Sequence, residues 1–296
     1  QKHQLGRDNF INEVWKWKEE SGDQILNQLK KLGCSCDWSR NRFTMDKDLS
    51  RAVTKTFVDL YKKKLIYKDI KLVNWDTKLE TAISDLEVEQ REVQSNLYYI
   101  KYDLVEENSH IIIATTRPET MLGDTAVAVN PADDRYKKFI GKKAKVPIAN
   151  RNVKIISDNY VSIEQGSGAL KVTPAHDFND YDIGKRHNLE FINILEKNGK
   201  LNSNVPKEFI GLDRFQCRNL IVKILKEEGL LEKIENINNV VPYGDRSNTI
   251  IEPFLTEQWF LDAKFLSKKA IQIVKKKKSP LKNTSQKKKV LKKIVR

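Results

Sequence analysis

An α/β host interrupted by a mainly β insertion is the fold class this sequence predicts, and three observations carry it. Apolar residues recur at helical spacing over the first 64 positions and again over 213–228. Between Leu86 and Val172 the apolar runs shorten to strand length, rich in β-branched and aromatic residues. No internal repeat competes with that reading.

The elements follow in order. Residues 8–32 read as helix, with Phe10, Val14 and Trp17 on one stripe. Ser21-Gly22 interrupts it, Ile25, Leu29 and Leu32 resume it, and Gly33 stops it. Trp15, Trp17 and Trp38 read as core or interdomain packing residues rather than ligand contacts. A second helix runs from Asp46 to about Lys64, with Leu49, Val53, Phe57 and Leu60 on one face and Asp46 suited to the N-cap. Ile66-Tyr67 and Leu72–Trp75 are strand-like pieces. Strands are predicted over Leu97–Val105, His110–Thr115, Thr125–Val129 and Val153–Ile156. Asn108-Ser109, Gly123, Asn130-Pro131, Gly141 and Asn150 punctuate them. A short helix after Pro174 and a longer one over Asp213–Glu228 complete the region.

At 296 residues, with 39% hydrophobic and 32% charged positions, the chain can bury a sizeable core. A mean hydropathy of −0.59 and no apolar run near ~18 residues argue against a membrane span. Nor does a charged-then-apolar leader point to secretion. Cys34, Cys36 and Cys217 are too few and too irregular for a disulfide framework or zinc site, so a cytoplasmic location is expected. The net charge of +14 is local. Residues 263–296 hold 13 Lys, one Arg and no acid, whereas the first 262 balance 40 basic against 40 acidic residues. That segment reads as a disordered or frameshifted lysine tail, with a phosphate-binding arm as the other reading.

Two clusters could carry chemistry. Thr115-Thr116-Arg117-Pro118-Glu119-Thr120 follows the apolar strand Ile111–Ile113. A strand ending in hydroxyls, a guanidinium and a proline-biased turn can present several donors to one ligand. It also fits an ordinary polar turn with its own side-chain hydrogen bonds. The second runs from Gly166 through Gly168 and Lys171 to His176, Asp177 and Asp180. Its glycines allow close backbone approach, and Asp177 and Asp180 would share a face at a helix start, where the dipole should keep both ionised. Such a pair could hold an ammonium group, although first-turn acids are common. His176, Asp177, Asp180 and His187 admit a metal-dependent hydrolase, without an HExxH spacing to support it. No G-x-S-x-G elbow or GxxxxGK[ST] loop is present.

Together these segments resemble the bacterial-type valyl-tRNA synthetases, which are class I aminoacyl-tRNA synthetases, from about Gly6 to Asp262. The resemblance is carried by Trp15–Lys18, Asp37–Arg40, Phe43–Asp46, Asn74–Asp76, Thr81–Glu89, Thr115–Thr120, Gly168–Asp180, Ile251–Pro253 and Gln258–Phe260. Glu119 separates this pattern from that of the leucine enzymes. Gln165 departs from it, because the family commonly has an aromatic residue there. Motifs of the HIGH and KMSKS types are absent from the sequence, so a fragment is expected.

What the resemblance implies is an incomplete Rossmann-type catalytic host over 1–80, an inserted editing domain over 81–240, a return segment over 241–262 and the tail over 263–296. A hydrophobic pocket that accepts valine rejects isosteric threonine by only about 10², which such enzymes repair with a second, hydrolytic sieve. The implied activity is hydrolysis of threonine wrongly attached to tRNA(Val), with aminoacylation lost; an inactive, tRNA-binding remnant is the alternative. Asp180 would bind the ammonium group, Asp177 and Lys171 would shape the pocket and pair with each other or with the substrate, and Thr120 and Thr116 would offer hydroxyls to the substrate or the attacking water. Arg117 would contact the terminal adenosine or its phosphate, with Thr115, Glu119, Gly166, Gly168 and His176 as further substrate-binding residues. No metal or cofactor is expected for editing, whereas the full-length family enzymes use ATP and Mg2+. The expected partners are the tRNA(Val) acceptor end and threonine or valine, with no membrane and a monomeric chain.

Overall fold

The computed structural model describes residues 2–275, which divide between Ile66 and Tyr67 into two compact units.

The first unit is helical: α1 (Lys2–Leu5), α2 (Arg7–Ser21), α3 (Gln24–Lys31) and α4 (Lys47–Lys62). Gly33 stops α3 as expected. Its φ of 78° lies in the left-handed region that glycine enters without penalty, and the Cys34 N–H reaches back 3.1 Å to the Leu29 carbonyl. Asp46 stands before α4, but its carboxylate accepts from the Phe43 N–H at 3.0 Å instead of capping the helix. Trp15 meets Phe43 edge to face at 6.1 Å, and Lys30 lies over Trp38. No described residue of this unit is buried, and Trp17 is 66% exposed, so the tryptophans do not form a core within this unit.

The second unit contains β1 (Ile66–Asp76), β2 (Thr81–Ala82), β3 (Val88–Leu104), β4 (His110–Thr115), β5 (Ala126–Val129), β6 (Lys143–Val146), β7 (Arg151–Ser157) and β8 (Ala169–Val172). Then come α5 (Phe178–Arg186), α6 (Arg214–Glu227), β9 (Leu231–Gly244), β10 (Glu252–Leu261) and α7 (Ala263–Lys275). One sheet runs β10-β1-β2; the larger runs β4-β3-β6-β7-β5-β8, with β9 also on β3. The pair β5–β7 is parallel, and β8 returns antiparallel beside β5.

The strand predictions hold for β4, β5 and β7 and fall short elsewhere. β3 is almost twice its predicted length, because residues 88–96 (VEQREVQSN) carry no apolar signal and are strand only through their ladder with β9. That pairing runs from Val88–Gly244 to Ile100–Leu231. The lysine segment also departs from expectation. Residues 263–275 form α7, in which Phe265, Leu266, Ile271, Ile273 and Val274 give an apolar pattern between the lysines. The rest of the expected tail lies outside the described residues.

β5 positions the site. It alternates between two cores and is buried on both faces. Val127 and Val129 join Ile100, Tyr102, Ile113, Met121 and, from α6, Cys217, Ile221 and Leu225. Ala126 and Ala128 face a smaller cluster with Val161, Val172 and Ile183. Ile183 belongs to α5, so burying it docks the helix that carries Asp180. Among the described residues, no helix is long and apolar enough to cross a membrane.

Candidate functional site

The two clusters singled out in the sequence meet at one cavity of about 170 Å³. Its lining includes Thr115, Thr116, Arg117 and Thr120 from the end of β4 and the turn after it. Lys171 and Thr173 come from β8 and its end, His176, Asp177 and Asp180 from the start of α5, and Tyr160 from the loop after β7. The clusters lie far apart along the chain, and the antiparallel β5–β8 pair closes that gap.

The turn builds itself first. Thr115 Oγ1 accepts from the Arg117 N–H at 3.1 Å, and Pro118 opens a short 3-10 segment, Pro118–Gly123. The Thr120 hydroxyl donates to the Arg117 carbonyl at 3.0 Å. Its one proton is therefore spent, and toward a ligand it can only accept.

Arg117 is held from several sides. Its guanidinium donates to the His176 carbonyl at 3.0 Å, pairs with Glu252 of β10, and lies 3.5 Å from Glu119. Glu119 is buried and accepts a two-point clasp from Arg218 of α6, both contacts 2.8 Å. Glu252 in turn accepts from Arg214 at 2.7 Å. Three arginines and two glutamates thus alternate in one ion chain. Burial alone would raise the Glu119 carboxyl, but Arg218 and then Arg117 outweigh it and hold it below the ordinary range. Glu119 does not line the cavity; it fixes the arginine that does.

On the other wall, α5 starts at Phe178 and not directly after Pro174, because Asp177 supplies the cap: its carboxylate accepts from Asn179 N–H at 2.8 Å and Asp180 N–H at 3.1 Å. Asp180, 5% exposed, accepts from the Thr173 N–H at 2.8 Å. The expectation that both acids stay ionised fails for Asp180. Burial, with Asp177 and Asp124 adding repulsion, outweighs Lys171 and the Thr173 amide and pushes its pKa up to about 7. The dipole of a nine-residue helix is too small to offset that desolvation.

Lys171 does not pair with Asp177. Its ammonium donates to Thr173 Oγ1 at 2.6 Å and lies 3.5 Å from Asp124. The Thr173 hydroxyl donates onward to Asp124 at 2.6 Å, and Tyr102 donates to the other Asp124 oxygen at 2.8 Å. Asp124 is fully buried; desolvation leaves its pKa raised against the pull of Lys171, Thr173 and Tyr102. Tyr102 is a member that sequence reasoning missed, and Thr173, within the second cluster, and Asp124, just after the first, are given no role by it. The only local signal was Asp124 directly after Gly123 at the end of the turn.

His176 is buried and accepts from the Ile194 N–H at its Nε2, 2.9 Å away. Burial first, then Arg117 and Lys171, lowers its pKa well below the ordinary value, so it is neutral. The two predicted glycines do not line the cavity. Gly166 has φ 62° and lies so close to Ala114 that a Cβ would stand 2.9 Å from the Ala114 Cβ. At Gly168 (φ 80°) a Cβ would collide with Arg135. Gln165 is exposed. Among the described residues no three His, Cys, Asp or Glu side chains gather as a metal site. His187, offered as a ligand, instead lies 2.9 Å from Asp158.

The sequence places the chain in a known class: it belongs to the tRNA synthetases class I (I, L, M and V), whose family model matches residues 1–296. Within that class the similarity is to valine–tRNA ligases, as the motifs indicated. The chain is 66% identical over 278 residues to that of Pelagibacter ubique (strain HTCC1062), covering 94% of this chain and 32% of that protein. The valine–tRNA ligase of Bradyrhizobium diazoefficiens is 52% identical over 296 residues, covering 93% and 31%. That of Coxiella burnetii is 53% identical over 268 residues, covering 90% and 29%. The chain thus spans about a third of the length of the curated relatives it matches.

Proposed function

We propose that the cavity hydrolyses threonine wrongly esterified to valine tRNA, acting on the RNA's acceptor end. The observation that carries this reading is the convergence of the 115–120 turn with Lys171, Thr173, Asp177 and Asp180 on one small cavity. At about 170 Å³ it falls below the ~300–1,000 Å³ of drug-sized ligand sites and suits one amino-acid side chain and its ester.

The chemistry follows from the donors and acceptors. Asp180, set beside the Thr173 amide, takes the substrate's ammonium group in a charge-assisted bond, and the arriving cation favours its ionised form. Lys171 has protons beyond the one given to Thr173, and these serve the threonine hydroxyl or the ester carbonyl. Valine offers no such hydroxyl and would leave these polar groups without a partner, which is how a polar pocket discriminates strongly. Thr120 Oγ1, able only to accept, orients a water molecule against the carbonyl carbon; the bond to the ribose oxygen breaks, and that oxygen leaves with a proton from the water. These steps use the chain's own side chains, and the site calls on no metal. ATP and Mg2+ belong to the synthetic reaction of the full-length family enzymes.

The test is deacylation of threonyl-tRNA(Val) beside valyl-tRNA(Val). The wild-type chain should release threonine at least tenfold faster than valine, and Asp180→Ala should abolish the release. Equal rates for chain and variant would refute the assignment.

A further inference from the structure

The loop after β7 places one aromatic side chain at the cavity in an unusual way. Its backbone is pinned on both sides of Tyr160. Asp158 is buried, its N–H donates to the Val129 carbonyl at 2.9 Å, and its carboxylate accepts from the Tyr160 N–H at 2.9 Å. Arg186 clasps the same carboxylate at 3.0 and 3.1 Å, and His187 lies 2.9 Å from it, tying the loop to the end of α5. On the other side Val161 is buried in the smaller core, and its carbonyl accepts from Asn130 at 2.7 Å. Between these anchors Tyr160 stands 52% exposed while lining the cavity.

Other tyrosines of this unit spend their hydroxyls internally: Tyr102 on Asp124, Tyr136 on the Ser167 carbonyl, Tyr99 on Glu235. Among the described residues the Tyr160 hydroxyl makes no hydrogen bond and its ring stacks on no other ring. A rigidly held backbone that leaves a large apolar face in water at a cavity gains nothing for the fold; a flat ligand would cover it. Asp177 and Asp180 face the phenol closely enough to raise its pKa, after burial, so the ring stands on the acid side of the cavity.

We infer that Tyr160 is the platform on which the purine of the terminal adenosine stacks when an aminoacylated RNA end enters the cavity. This rests on the hydrolytic reading above, which puts an ester of that nucleoside in the site. The stack adds base affinity without sequence readout, since every base has a π-face, and it holds the ester in register with Asp180.

The experiment compares wild type, Tyr160→Phe and Tyr160→Ala in two assays. One is calorimetric binding of adenosine carrying threonine in a stable 3′-amide; the other is deacylation of threonyl-tRNA(Val). Tyr160→Ala should weaken amide binding about tenfold and raise KM similarly with kcat changed less than about twofold, a loss in the range of one base–aromatic stack. Tyr160→Phe, which keeps the ring, should match wild type. Equal binding by wild type and Tyr160→Ala overturns the platform, as does a Tyr160→Phe defect as large as that of Tyr160→Ala. No binding by wild type overturns it too. If the amide binds with the expected ranking but no ester is cleaved, the platform stands and the hydrolytic reading falls.

Discussion

Replacing Asp180 by Asn removes a charge that the fold resists, and the size of the effect can be worked from its surroundings. The Asp180 carboxyl keeps its proton up to about pH 7 in the native chain, against an ordinary 3.8. Between those values the native state binds more protons than the unfolded state, so stability falls as pH rises and the cost is complete above about pH 7. A displacement from 3.8 to about 7 corresponds to about 4 kcal/mol, at about 1.4 kcal/mol for each pH unit. Asn keeps an oxygen to accept the Thr173 N–H but carries no charge to desolvate. Urea unfolding of both proteins from pH 4 to 8.5 should therefore show no gap near pH 4. The variant's advantage should grow steadily to a maximum of about 4 kcal/mol by pH 8, while deacylation is lost. A gap of constant size across that range, or a variant less stable at pH 8 than wild type, would refute the claim that burial sets this carboxyl's ionisation. The trade is a familiar one: a site poised to receive a cation is unstable until it does.

Three further outcomes follow from the same geometry. Arg218→Met should lower stability by about 3 kcal/mol, because Glu119 loses its two-point partner inside the protein; thermal unfolding reads it, and a change under 1 kcal/mol would show that Arg117 alone suffices. Gly168→Ala should cost about 2 kcal/mol or more, since alanine resists the left-handed backbone and its Cβ meets Arg135; an unchanged melting temperature would show that the loop relaxes freely. Lys171→Met should cut threonyl-tRNA(Val) deacylation at least tenfold and raise the Asp124 pKa further, since Lys171 opposes that rise. Retained activity would remove Lys171 from the site.

Much of this protein was legible in one dimension. The family came from contiguous motifs. The cavity residues Thr115, Thr116, Arg117, Thr120, Lys171, His176, Asp177 and Asp180 stood out because short turns and helix starts signal themselves locally. The helix over Arg214–Glu227 was legible through its periodicity and its Asp213 cap, which accepts from the Phe215 N–H at 2.9 Å. Residues 88–96 were not legible as strand, since their polar sequence is held only by distant partners, Asn236 to Gly244.

The sequence by itself determined which side chains were available and, for the most part, where each turn and helix would begin, because capping, proline bias and apolar period act over a few residues. Tertiary structure alone decided what those side chains became. Glu119 turned from a ligand candidate into the clasp of an arginine, Lys171 went to Thr173 and Asp124 in place of Asp177, and Asp180 ceased to be a plain carboxylate. The physical reason is that desolvation and ion pairing depend on what surrounds a group in space, and the neighbours that matter here, among them Asp124, Arg218 and Glu252, arrive from strands and helices distant along the chain.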